Sequence, residues 1–372
     1  MKKFLGNLFN TKNKSRTISF AIVIIAYILI EVITNATKVS RLFTSLLVPT
    51  CAYIVIAIAL NLVVGISGEL SLGHAGFMAI GAFTAVVVTG VLESTISNQI
   101  LLLVISIIVG GIVSGILGLI ISVPVLKLSG DYLAIVTLAF GQIIKSLLNN
   151  IYLGIDNAGL HFSFVTNEIE LQGGKMLLSG PMGATDTAKI SNFTAGFILI
   201  LFTLFVVYSL INSKYGRSIM SCRDNRIAAE SIGINVSKTK TLAFVVSAVL
   251  AGMAGSLYSL NYSTLMPAKF DFNTSILILV YVVFGGLGNV NGTIVATTVL
   301  YILPELLREL QDYRMLIYAI VLIVVMQLTN SNRLKQFGSN YRDRLLKKEH
   351  HNDWSYSRDK KFRYRFWWFN CC

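Results

Sequence analysis

Charge is what this sequence has least of. Asp, Glu, Lys and Arg make up 13% of its 372 residues, and 54% are apolar. Soluble domains carry about 25% charged residues, so a set of soluble domains is excluded and a lipid-solvated chain remains. Its mean hydropathy is +0.70. Cysteine is sparse too: Cys51, Cys222, Cys371 and Cys372 form neither a disulfide framework nor a metal-binding spacing, so they leave the redox compartment open. No HxxxH spacing gives His74 a metal partner. HExxH, GxSxG and paired acids at helical spacing are missing from the apolar runs, which removes the familiar catalytic sets and argues against an intramembrane enzyme. There is no GxxxxGK[ST] loop either, so the chain has no phosphate cradle of its own. Phe284–Gly292 is glycine-rich but apolar and has no following lysine.

What is present is a series of apolar runs near the ~20 residues a spanning helix needs. Ten can be drawn, at about 18–34, 42–64, 75–92, 100–122, 132–150, 192–211, 241–260, 275–290, 292–310 and 314–328. The third, eighth and tenth are short or glycine-broken, and re-entry there would lower the count to eight. No small-x-small cleavage site follows the first run, so it reads as a retained helix. The expectation is an all-α integral membrane protein, a bundle of about ten (eight to ten) helices with broken or re-entrant glycine-rich segments. Residues 1–17 form a basic N-terminus, 18–330 the transmembrane domain with a cytoplasmic loop at about 212–240, and 331–372 a basic aromatic tail.

Charge orients the runs by the positive-inside rule. Lys2, Lys3, Lys12, Lys14 and Arg16 precede the first run with no acid among them, which places the N-terminus in the cytoplasm. Five crossings put the loop from Ile151 to Ser191 outside, and it carries Asp156, Glu168, Glu170 and Asp186 against Lys175 and Lys189. A sixth returns to Lys214, Arg217, Arg223, Arg226, Lys238 and Lys240. The tenth leads into the basic C-terminus, so both termini are expected in the cytoplasm. Small residues recur at helix-packing intervals: Gly111 and Gly115, the row Gly110, Ser114 and Gly118, then Ala248 with Gly252 and Ala251 with Gly255. Such rows let helices approach closely in lipid, where no hydrophobic force drives them together.

Three segments interrupt the pattern. GISGELSLGHAGFMAIGAF (Gly65–Phe83) sets Glu69 and His74 among glycines that weaken a regular helix by up to ~1 kcal/mol each. FGGLGNVNG (Phe284–Gly292) is a second break. Transporters build sites from interrupted helices, because unwound backbone at membrane depth is tolerated where it lines a cavity. Glu69 and His74 either sit in a solvated turn or lie at membrane depth, where an ionisable pair marks a functional site reached by water. In LKLSGDYLAIVTLAFGQIIKSLL (Leu126–Leu148), Asp131 reads as a helix cap, with substrate contact the alternative. The third segment is Arg217–Gly233, within GRSIMSCRDNRIAAESIGIN, a basic, helix-compatible loop between two apolar runs. Arg223, Arg226 and Glu230 share one side, Ala228 and Ile232 lie on another, and Gly233 can end the helix. It reads as a docking element for a soluble partner; the plainer alternative is a loop that merely obeys topology.

In this order, NLVVGISGELSLGHAGFMAIGAFTA, SGDYLAIVTLAFGQII, GRSIMSCRDNRIAAESIGIN and LAFVVSAVLAGMAGSLYS resemble the branched-chain amino acid ABC-transporter permeases, the LivM-like subunit. The resemblance runs from about Leu46 to Leu328. It implies a transmembrane subunit that works with a related permease, two cytoplasmic ATPases that use ATP and Mg, an extracytoplasmic substrate-binding protein and membrane lipid, with no nucleic acid. It implies a bacterial cell membrane location and no cofactor on this chain. Ala228, Ala229, Glu230 and Gly233 match the core of the ABC-permease coupling motif, and Arg217, Arg223 and Arg226 accompany them; the Ile-x-Leu-Pro ending of the commoner motif is absent. Gly68, Leu70, Ser71, Gly73, His74 and Gly76 match the family's Gly-x-Leu-Ser-Leu-Gly-His segment. With Glu69 and Asp131 they are the candidates for the translocation path. Leucine, isoleucine and valine are the implied substrates, with urea or another small solute as the rival and a passive channel as the rival of another class. The tail holds eleven Lys/Arg against four Asp/Glu in 333–372, together with Trp354, Trp367 and Trp368. It is read as disordered or as an unrelated appendage, with binding to anionic headgroups the alternative.

Overall fold

The computed structural model describes residues 11–36, 41–93, 95–126, 131–156, 159–164, 174–185 and 187–307, with single positions between 313 and 323. Met1–Leu306 forms one unit. In the second, Leu307–Cys372, the described positions 316, 317, 319, 320 and 323 are helical. Most of the expected tenth span, the first ten residues and the tail lie outside the described residues.

Each of the first nine apolar runs carries a helix. In chain order they are α1 (Thr11–Ala36), α2 (Arg41–Asn61), α3 (His74–Leu92), α4 (Gln99–Val125), α5 (Asp131–Asn149) and α6 (Phe193–Asn212). After α7 (Lys214–Asp224) and α8 (Arg226–Ser231) come α9 (Val236–Ser259), α10 (Phe272–Gly285) and α11 (Val290–Leu306). Among the described residues, seven helices are long and apolar enough to cross a membrane, and α11 is a shorter apolar helix.

The packing is inverted relative to a water-soluble bundle. On α4, Gly110, Ser114 and Gly118 are buried while Val104, Ile108, Ile112, Ile116 and Ile120 are exposed along one stripe. Such a face fits hydrocarbon and would be an aggregation surface in water. Helix α9 is the hub and packs on α4, α3 and α2. The anticipated small-residue rows meet there. A Cβ at Gly252 would fall 2.4 Å from that of Ser114, so the α4–α9 crossing admits only a glycine at that point. Hydroxyls fasten the hub: Ser114 Oγ donates to the Ala248 carbonyl at 2.7 Å across α4–α9, and Ser256 Oγ to the Gly81 carbonyl at 3.0 Å across α9–α3.

Loops that charge assigns to opposite sides gather at opposite ends. At one end the acidic loop folds into β1 (Ile151–Asp156), β2 (Gly159–Phe164) and β3 (Lys175–Ser179), an antiparallel sheet in the order β2-β1-β3. Then β4 (Ala184–Thr185) pairs with β5 (Thr264–Leu265), and Ser191 N–H donates to Leu260, joining the acidic loop to the turn after α9. The sequence reading foresaw none of these strands. At the other end lie α7, α8 and both glycine-rich breaks.

The first break is shorter than expected. Helix α2 continues as a π-helix, Leu62–Ser67, ends at a left-handed Gly68 (φ 75°), and α3 begins at His74. Gly76 and Gly81 lie inside α3 instead of breaking it. There they let α5 and α9 come close, since a Cβ at Gly76 would meet the Gly141 Cα at 3.0 Å and one at Gly81 the Gly252 carbonyl oxygen at 2.0 Å. That contact offsets the poor helix propensity of glycine.

Candidate functional site

The basic loop is two helices where one was expected. Ser213 accepts from Gly216 N–H to start α7, and Asn225, in extended conformation, ends α7 and accepts from Ala228 N–H to start α8. Side-chain oxygens at these positions satisfy amides that a helix start leaves open. Gly233 (φ 85°) closes α8 as anticipated. Its N–H donates to Glu230 and that of Ile234 to Ala229, the double bond pattern of a left-handed glycine terminus. Ala229 is buried with Cys222 and Val236, which fixes the pair of helices on the start of α9. Burial pushes the Cys222 thiol up from its ordinary pKa.

The outer surface of α8 and its end carries two exposed isoleucines among polar residues. Ile227 is 80% and Ile232 74% exposed, beside an Arg226–Glu230 ion pair at 3.1 Å and an exposed Ala228. Set among charges, the two isoleucines do not suit lipid. Exposed apolar side chains rimmed by charge mark a protein contact. Two of the expected coupling arginines face the other way. Arg217 Nη1 donates to the Asn212 carbonyl at the end of α6. Arg223 Nη1 donates to the Gly65 carbonyl at 3.0 Å, while its Nε and Nη2 bind Asp224. Each guanidinium thus sits at the carbonyl-rich, negative end of a helix. Arg223 also explains Gly68: a Cβ there would meet its Cγ at 2.6 Å, in a backbone region that other residues avoid.

A second link lies alongside. Lys240, one turn into α9, forms an ion pair with Glu69, and their side chains are 13% and 12% exposed. Behind it the two breaks touch. Asn61 Oδ1 accepts from Gly288 N–H at 2.8 Å, and its Nδ2 donates to Thr293 Oγ1 at 2.9 Å. The Gly65 Cα is so close that a Cβ would fall 2.2 Å from the Gly288 nitrogen. Ser67 Oγ, at the end of the π-helix, is buried without a hydrogen-bond partner among the described residues. A π-turn inside a helix often marks a functional position. This one leaves the Gly65 carbonyl for Arg223.

His74 is buried inside the bundle at the start of α3. Its Nε2 lies 2.7 Å from Ser247 Oγ, halfway along the 24-residue α9, and its Nδ1 lies 3.0 Å from Ser71 Oγ. Ser247 Oγ in turn donates to the Ala59 carbonyl at 2.6 Å. With its proton so used, Ser247 can only accept from the ring, which makes His74 the Nε2–H tautomer with Nδ1 accepting from Ser71. The solvated-turn reading of His74 is thereby set aside. So is water access in this conformation: His74 is 1% exposed, walled by Phe77 and Phe244. It ties α2, α3 and α9 together. Ser71 and Gly73 are buried beside it, with Leu72 N–H donating to Thr137 Oγ1 on α5 at 3.0 Å. Asp131 is the first residue of α5, and its side chain lies outside the described residues.

The residues that sequence reasoning missed are Asn61, Ser247, Thr293 and a group of tyrosines at the sheet end. Asn61 gave a signal, an amide inside an apolar run. The others gave none, because their partners are far away in the chain.

A family model described as "Branched-chain amino acid transport system / permease component" matches residues 42–326, which takes in both breaks, the π-helix and the two-helix loop. The chain belongs to this permease family. It is 34% identical over 303 residues to the high-affinity branched-chain amino acid transport system permease protein LivM of Salmonella typhimurium, covering 77% of this chain and 69% of that one. The LivM of Escherichia coli is 33% identical over the same shares. The LivH permease protein of Salmonella typhimurium is 23% identical over 265 residues, 67% of this chain and 79% of that protein. No solved structure matches the chain. The permease is therefore a multi-pass membrane component of a transport system. Within it, the two-helix loop is tied by Arg223 to the first break and through Asn61 to the second.

Proposed function

We propose that this permease is the membrane subunit of an ATP-driven importer for leucine, isoleucine and valine. The reading places both termini and α7–α8 in the cytoplasm and the β-strands outside, following the distribution of Lys and Arg. Two cytoplasmic ATPases, which bind and hydrolyse ATP with Mg, dock on Ile227 and Ile232. A related permease completes the membrane portion, and a binding protein delivers substrate to the sheet end.

The observation that carries this reading is the bond from Arg223 to the Gly65 carbonyl. A loop that only obeyed topology would have no reason to grip the unwound end of a spanning helix. A passive channel would have no use for an exposed apolar pair on that loop. Here a push on α8 travels through α7 and Arg223 to the π-helix, then through Asn61 to the tip between α10 and α11. Charge-assisted bonds suit such a link, being roughly twice as strong as neutral ones. Interrupted helices also present backbone dipoles that suit a zwitterion.

Reconstitution tests the reading: the permease, sister subunit, ATPases and binding protein in proteoliposomes, with labelled leucine and urea compared. ATP-dependent leucine accumulation is expected. Accumulation of urea but not leucine would overturn the substrate and leave the importer. Uptake of either without ATP would overturn the importer.

A further inference from the structure

Five tyrosines from four helices and one turn meet on the sheet side of the breaks. Tyr53 of α2 stacks on Tyr301 of α11 at 4.5 Å between ring centroids, and meets Tyr258 of α9 and Tyr281 of α10 edge-on at 6.0 and 6.3 Å. Tyr262, in the turn after α9, lies 5.0 Å from Tyr258. An aromatic belt would distribute such rings around the perimeter at the headgroup level. These face one another inside the bundle, where each phenol needs a polar partner when buried. Concentrating them in a protein so poor in polar side chains calls for a further reason.

That reason is visible at the edge of the group. The Lys269 ammonium rests 4.7 Å from the centroid of Tyr262, so this ring already holds a primary ammonium ion. Asp271 caps the start of α10, accepting from Thr274 N–H, and Glu305 lies one residue before the end of α11, so two acids stand at the same end of the bundle. Tyr53, Tyr262 and Tyr301 are only partly buried.

We propose that this tyrosine group is the admission site of the permease, where an α-amino acid released by the binding protein first lodges. Resting on the importer reading above, it assigns the substrate's ammonium to the face of Tyr262 now covered by Lys269. The displaced Lys269 ammonium then pairs with the substrate carboxylate. Recognition requires the ammonium, so a branched carboxylic acid without one is refused.

The test uses the complete reconstituted importer. Tyr262→Leu, which keeps bulk but removes the π-face, should raise the KM for leucine uptake about tenfold, the scale of a cation–π contact at a partly dry site. Tyr262→Phe should keep KM within about threefold of the unaltered importer. In a second arm, Met266→Cys, at an exposed position in the turn that carries Lys269, is labelled from outside by a membrane-impermeant maleimide. Leucine with its binding protein should slow labelling, and isocaproate, which lacks the amino group, should not. An unchanged KM in Tyr262→Leu, or equal protection by both compounds, overturns the admission site while leucine transport by the unaltered complex keeps the importer reading. A complex that accumulates no branched-chain amino acid overturns both.

Discussion

Consider Lys240→Met. It leaves the Glu69 carboxylate, 12% exposed, facing the foot of α9 without its cation. Removing one partner of a buried pair costs roughly 3–5 kcal/mol. With some solvent reaching both groups, about 3 kcal/mol is the better figure here, near a hundredfold in an equilibrium. The pair joins α9 to the residue next to the left-handed Gly68, so what it stabilises is the closed arrangement of the first break. If that arrangement is the resting state, its loss lets the break move without the nucleotide cycle. The expected result is a raised basal ATP hydrolysis, less leucine moved per ATP, and a lower melting temperature of the solubilised complex. Glu69→Lys should behave likewise, and the double exchange Glu69→Lys with Lys240→Glu should recover most of both losses. Lys238→Met, at an exposed position on the same helix, serves as the control. Coupling ratio and melting temperature both unchanged in Lys240→Met would refute the argument. A double exchange no better than its parents would show that the charges act separately.

Changing Ile227 and Ile232 together to Asp should abolish co-purification of the ATPases while leaving the permease's own melting temperature unaltered, because neither side chain is buried. Gly233→Pro removes the N–H that bonds to Glu230 and opposes the positive φ; the variant should reach the membrane and lose ligand-stimulated ATP hydrolysis. The Cys222 thiol, raised by burial, holds less thiolate at neutral pH than a free cysteine, so peptide mapping should find it unalkylated in native protein and modified once α7 and α8 are unfolded. Cysteines placed at 71 and 74 should be slow toward a small aqueous reagent at rest and speed up when ATP is trapped; equal rates in both states would remove His74 from the moving region.

The helices were legible because hydrocarbon imposes a simple pattern: apolar length for each span, and Lys and Arg on one side. The small-residue rows were legible because Gly110, Ser114 and Gly118 recur at intervals of four, a local property of one helix. Gly233 was legible as a local stop signal. The strands at 151–185 were not, since each is short and their pairing depends on the helix ends that carry them. Gly76 and Gly81 misled, because a glycine that breaks a helix and one that lets a neighbour approach are the same letter. Arg223 was assigned outward with the other cations, whereas its guanidinium turns back to Gly65. Sequence spacing cannot give that direction, because the acceptor is a backbone carbonyl 158 positions away.

The α10–α11 hairpin connects the two levels at which this permease concentrates its polar groups. Its tip, Gly286–Asn289, is held by Asn61 against the first break. Beyond the tip it carries Tyr281 and Tyr301, which close on Tyr53. Tyr53 and Asn61 lie on the same helix, eight residues apart, so both contacts are made between α2 and the hairpin. A tilt of the hairpin against α2 cannot open one without straining the other, because packed helices move as rigid bodies between discrete arrangements. Alternating access needs this property, with the two ends never open together. Asn61→Ala should therefore act at a distance, loosening the tip and raising the labelling rate of a cysteine at Tyr262 in the absence of ATP. Labelling at Tyr262 that ignores Asn61 would mean that the two ends are not coupled through the hairpin.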